Sequence, residues 1–278
     1  MDRKIFWSRL GLGALFVAGY ALLQLLVSAA YGTALSLAAL LETGPQARPE
    51  ALLEAMEARY MAAVPYISLV TNGLAALAIW GVCALRRRRL GPGLGFRPLA
   101  PAQAALCAAF GLAVATALFV FLNLLPLPEA LLEGYAAQSS VLLEGPLAVR
   151  LVSNALAAPL LEEMLFRGLV YGTLREGMPR GWAILLSSLA FGLLHGHPLW
   201  MAYAALLGAI LCLVKDACGS LWAAVVFHGL VNLTGSFLLP AFPWAVSLAG
   251  LLLAVALSAL LWVRLGLGGE RLRSGNQK

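Results

Sequence analysis

Between Arg9 and Glu42 no residue is charged. A helix needs roughly 20 apolar residues to cross a bilayer core of about 30 Å, so the run Leu10–Leu41 is long enough to span, with length left for tilt or for extension past the bilayer. It is also far longer than the apolar region of a signal peptide, and it reads as a retained membrane anchor. Similar runs recur along the chain. The sequence is 62% hydrophobic and 12% charged, against about 25% charged in a soluble domain. A globular core cannot hide this much apolar surface, so lipid must be the solvent for much of it. Cys83, Cys107, Cys212 and Cys218 fall in or beside apolar stretches without CxxC spacing. They read as small core residues rather than disulfide or zinc-finger cysteines.

The expected architecture is all-α. It is a polytopic membrane protein of about eight transmembrane helices with a catalytic bundle in its second half. The candidate spans are Leu10–Leu41, Ala63–Leu85, Ala102–Leu125, Val149–Leu174, Trp182–His195, Leu199–Val214, Leu221–Leu239 and Trp244–Leu265. They form one integral-membrane domain, 1–278. Residues 1–147 hold the N-terminal spans and loops, 148–240 the core motifs, and 241–278 the last span and a basic tail. With the N-terminus in the cytoplasm, fifteen Lys and Arg fall on inner segments and three (Arg48, Arg59, Arg150) on outer ones. The positive-inside rule favours this arrangement, with both termini cytoplasmic and the cell (inner) membrane as the location. Arg86–Arg89 directly follows an apolar span, so topology and anionic lipid heads explain it and nucleic acid is not an expected partner.

The remaining basic residue, Arg167, sits in the fourth span with Glu162 and Glu163. A charge at mid-membrane costs about 2.5–3.5 kcal/mol on the insertion scale, and such residues normally face a protein interior or a wet cavity. Glu163 and Arg167 are four residues apart and share a helix face, where they can pair. Glu162 is turned about 100° away and does not share that partner, which makes it the better candidate for chemistry. The fifth span ends FGLLH, with Phe191 and His195 four apart. The seventh contains FHGLVN, with His228 and Asn232 four apart on one face. Glutamate and histidine together can take a proton from water. Histidine and an asparagine amide can donate hydrogen bonds to a developing oxyanion. This is equipment for hydrolysing an amide inside a membrane. Ser187 and Ser188 lack a nucleophile-elbow pattern, and no HExxH occurs.

EExxxR (Glu162, Glu163, Arg167), FxxxH (Phe191, His195) and HxxxN (His228, Asn232), in that order and each on a predicted membrane helix, resemble the motifs of the CAAX prenyl endopeptidase and bacteriocin-processing (CPBP) family of intramembrane proteases. The resemblance covers roughly Val149 to Leu239. It implies that Glu162 and His195 activate water, that His228 and Asn232 hold the oxyanion, that Glu163 and Arg167 brace the site, and that Phe191 shapes its wall. The implied substrate is a membrane-associated protein or peptide. The family has been described both as metalloprotease and as metal-free glutamate protease. Glu162, His195 and His228 could supply a three-ligand zinc site, but Asn232 one turn beyond His228 suits an oxyanion hole better. No cofactor is favoured, and zinc is the alternative.

The fifth and sixth helices are short, so HGHPLW is expected to turn within the membrane and admit water near His195, with His197 a turn residue. This points to an opening on the outer side, whereas the resemblance implies a cytoplasmic one. Residues 42–60 read as a solvated outer loop helix. The rival functions are a proton-coupled transporter, for which no matching halves are visible, and a non-catalytic scaffold locked together by polar side chains.

Overall fold

The computed structural model describes residues 2–43, 48–87, 89–238 and 248–266. These are helical, with no strand among them. In chain order they form α1 (Arg3–Thr43), α2 (Pro49–Leu85), a short α3 (Leu90–Leu94), α4 (Pro101–Leu124) and α5 (Glu129–Ser140). A continuous helical rod, α6 (147–175), follows, then α7 (Arg180–Leu193), α8 (Pro198–Cys218), α9 (Leu221–Leu233) and α10 (Leu248–Arg264). Among the described residues, five helices are long and apolar enough to cross a bilayer: Arg3–Glu42, Leu52–Leu85, Pro101–Leu124, Pro198–Cys218 and Leu221–Leu238. Of the eight expected crossings, the other three correspond to α6 and to the shorter apolar helices Arg180–Leu193 and Leu251–Arg264. Leu239 and residues 244–247 of the expected spans, and 267–278 of the expected basic tail, lie outside the described residues.

Of the segment 42–60, read as an outer loop helix, residues 44–47 lie outside the described residues, and 49–60 are helical but join the following span as the first part of α2. Pro49 opens that helix, where a missing N–H costs nothing, and it runs on without a break to Leu85. Large apolar side chains stay on the outside of the bundle, among them Leu15, Leu22, Leu25, Leu26, Leu77 and Trp80. A surface of this kind suits acyl chains and not water.

Inside the bundle there are two apolar clusters. One gathers Leu161, Leu165, Phe166, Leu169 and Val170 of α6 with residues of α1, α2 and α7. The other joins Phe110 and Val114 of α4 to Leu211 of α8 and Phe227 of α9. Close backbone approach brings the clusters together, and glycine permits it. A Cβ added at Gly229 of α9 would lie 2.8 Å from the Ala155 carbonyl oxygen of α6. One added at Gly192 of α7 would lie 2.5 Å from the Met201 carbonyl of α8. Gly229→Val should therefore push α9 off α6 and lower stability by about 1–3 kcal/mol, read as a fall in detergent melting temperature. A melting temperature equal to wild type would contradict the close packing.

Candidate active site

The rod α6 alternates ordinary α-helix with two widened π-helical stretches, Val152–Ala157 and Met164–Val170, on either side of Ala158–Glu163. Such widened turns often accompany functional sites. Pro159 supplies a local reason for the first. It has no N–H to return to the preceding turn, and in a five-residue register the carbonyl left without a donor is that of Asn154. That oxygen accepts a hydrogen bond from Asn232 Nδ2 of α9 at 2.9 Å. A backbone irregularity in one helix thus anchors a candidate side chain of another.

One turn deeper, Glu163 and Arg167 are both fully buried, and Arg167 Nη1 lies 2.9 Å from Glu163 Oε1. The guanidinium also donates from Nη2 to the Gly208 carbonyl at 3.1 Å and stacks over the Phe191 ring, 4.3 Å from its centroid. The same Glu163 Oε1 lies 2.9 Å from His228 Nδ1. A carboxylate paired with arginine only accepts, so the proton of that bond sits on Nδ1. Nε2 of His228 is left 3.7 Å from Glu162 Oε2. Glu163 is therefore more than a partner for Arg167: it orients the histidine of a different helix, a contact that sequence spacing could not give.

His195 is fixed in a similar way. Its Nδ1 lies 2.8 Å from the Phe191 carbonyl, which can only accept, so Nδ1 carries the proton and Nε2 remains for chemistry. Phe191 stands against both imidazoles, with ring centroids 4.8 Å from His195 and 5.8 Å from His228. Glu162, Phe191, His195, His228 and Asn232 all line one cavity of about 470 Å³. Glu163 and Arg167 lie behind its wall. His197 caps the start of α8, accepting from the Leu199 N–H at 3.3 Å.

The cavity reaches from Glu162 past Asn154 to Leu122, Tyr135 and Ser139, toward the face that carries α5. Gln138 of α5 donates to the His195 carbonyl at 2.8 Å, so α5 is tied directly to the turn after α7. Tyr135 packs edge-on against Trp200, 5.9 Å between centroids. Sequence reasoning did not single out Asn154, Tyr135, Gln138 or Tyr203, which also line the cavity. For Asn154 a signal existed: an amide inside an apolar span must find a partner.

If zinc were present, the alternative reading would have Glu162, His195 and His228 hold it. Among the described residues, no group of three or more His, Cys, Asp or Glu side chains comes together so as to hold a metal ion. No step below runs through a metal.

Residues 144–234, about a third of the chain, match the family model for the type II CAAX prenyl endopeptidase Rce1-like domain. No curated protein and no solved structure matches the chain.

Proposed function

Because residues 144–234 match the model of the Rce1-like type II CAAX prenyl endopeptidase family, we propose that this integral membrane protein hydrolyses a peptide bond of a membrane-associated protein or peptide in the cavity around Glu162. The observation that carries this reading is the chain of contacts Arg167–Glu163–His228–Glu162, with polar atoms 2.9, 2.9 and 3.7 Å apart, which ends inside a cavity. A scaffold would need the first link but has no use for the last.

In the proposed reaction, water lies between Glu162, His195 and the scissile carbonyl. Glu162 and His195 take its proton as it attacks. The oxyanion that forms meets His228 and Asn232. With Nδ1 of His228 committed to Glu163, Nε2 is the atom that faces the oxyanion. Nε2 donates when His228 enters the reaction with both ring nitrogens protonated beside the Glu163 carboxylate, while the proton released by water stays on Glu162 or His195. Asn232 has two amide hydrogens; one serves Asn154 and the other remains for the substrate. The proton then passes to the leaving amine and the peptide separates. With both termini cytoplasmic, as the distribution of Lys and Arg favours, the cavity lies toward the outer side of the membrane.

The test uses the purified protein in lipid vesicles with two quenched-fluorescent peptides, one prenylated near its C-terminus and one not. Cleavage of the prenylated peptide supports a CAAX-type substrate, and cleavage of both equally supports a broader peptide specificity. Cleavage of neither, together with pH-driven flux, would support a transporter. Asn232→Ala should lower turnover by roughly 100- to 1,000-fold if it supplies an oxyanion donor, and a normal rate would remove it from the site. Activity should survive chelation. Loss on chelation with recovery on adding zinc would contradict metal-free chemistry.

A further inference from the structure

Further along α6, beside its C-terminal half and the end of α2 at Arg86, lies a second cavity of about 330 Å³. Arg86, Arg97 and Lys215 are among its lining residues, with Gly168 and Gly172 of α6 and a single carboxylate, Asp216. That carboxylate is already engaged: its Oδ2 accepts from Tyr171 at 2.6 Å and from Arg180 at 2.8 Å. Among the described residues neither Arg86 nor Arg97 has an ion-pair partner. Arg86 rests with its guanidinium 5.6 Å from the centroid of the Phe16 ring, and Arg97 is exposed. The Lys215 ammonium is held in place, since it donates to the Arg167 carbonyl and lies 5.5 Å from the centroid of the Tyr171 ring. Topology alone asks only for basic residues here. It does not call for a concave site with two unpaired guanidiniums, a fixed ammonium and a glycine, Gly172, that leaves open space.

We propose that this pocket binds a phosphate-bearing anion, with Arg86 and Arg97 as its charged rim and Lys215 as its floor. A phosphate has oxygens enough to take both guanidiniums and the ammonium at once. Basic pockets between membrane helices are suited to anionic lipid headgroups. The same chemistry would also take free phosphate. The site lies further along α6 than Glu162 and is lined by none of the residues assigned to peptide hydrolysis, so its test needs no cleavage assay.

Full-length protein in detergent is titrated with phosphatidylglycerol or phosphatidylcholine, and bound lipid is counted by native mass spectrometry. Phosphatidylglycerol is expected to be retained in preference to phosphatidylcholine. Arg86→Gln/Arg97→Gln should weaken that retention by about 30-fold, about 1 kcal/mol for each charge. Gly172→Leu is the second variant. A Cβ at Gly172 meets open space, so the larger side chain fills the pocket while every charge stays. It should also lose the lipid while keeping the wild-type melting temperature. A parallel arm adds inorganic phosphate. Displacement of the lipid at comparable concentrations identifies free phosphate as the ligand, and failure to displace it identifies the headgroup. Equal retention of the two lipids by wild type, or wild-type retention of phosphatidylglycerol by both variants, would overturn the proposal.

Discussion

Arg167→Met is expected to destabilise the protein by about 3–5 kcal/mol, the cost of leaving a buried charge without its partner. Glu163 is fully buried, and without the guanidinium 2.9 Å away it keeps only the His228 imidazole. The double variant Glu163→Leu/Arg167→Met should recover most of that stability, because an apolar pair of similar size removes both charges together. It should not recover peptide cleavage. His228 Nδ1 would have lost the acceptor that fixes its proton and orientation. Melting in detergent gives the first quantity and peptide turnover the second. A single variant as stable as wild type would show that the pair is not a buried, mutually dependent unit. Full activity in the double variant would show that Glu163 does not position His228.

The Glu163–Arg167 pair was legible in the sequence because its two members lie on one helix, and the period of that helix fixes which side chains meet. The Glu163–His228 contact was not. It joins residues 65 positions apart, and no local rule says which faces of two separate helices turn toward each other. The Asn154–Asn232 bond escaped for a related reason. It depends on a widened turn ahead of Pro159, and a proline shows where a hydrogen bond is missing, not which residue replaces it. The apolar spans were readable because lipid imposes a composition on whatever it surrounds. The start of α2 was read as a helix but separated from the span that follows, because Glu50, Glu54, Glu57 and Arg59 lower its hydropathy. Helical structure continues through them, and Arg59 pairs with Glu42 at the end of α1, 2.7 Å away. Hydropathy reports where lipid ends, not where a helix does.

Glu162→Gln should leave folding nearly unchanged and abolish most activity. The substitution keeps the shape of the side chain, and Glu162, unlike Glu163, is not fully buried: its side chain is 21% exposed. The amide can no longer accept a proton from water. Loss of a positioned general base lowers rates by between about 100- and 10,000-fold. The melting temperature of Glu162→Gln should stay near that of wild type, in contrast to Arg167→Met. If both variants lost stability alike, Glu162 would belong to the packing of α6 and not to chemistry.

The most direct test of intramembrane hydrolysis at Glu162 is a comparison of peptide termini, by mass spectrometry, in membranes carrying either the wild-type chain or Glu162→Gln at equal abundance. The wild type should produce a set of new termini in membrane-associated proteins or peptides that the variant does not. Identical sets of termini from the two membranes would contradict a peptidase acting through Glu162.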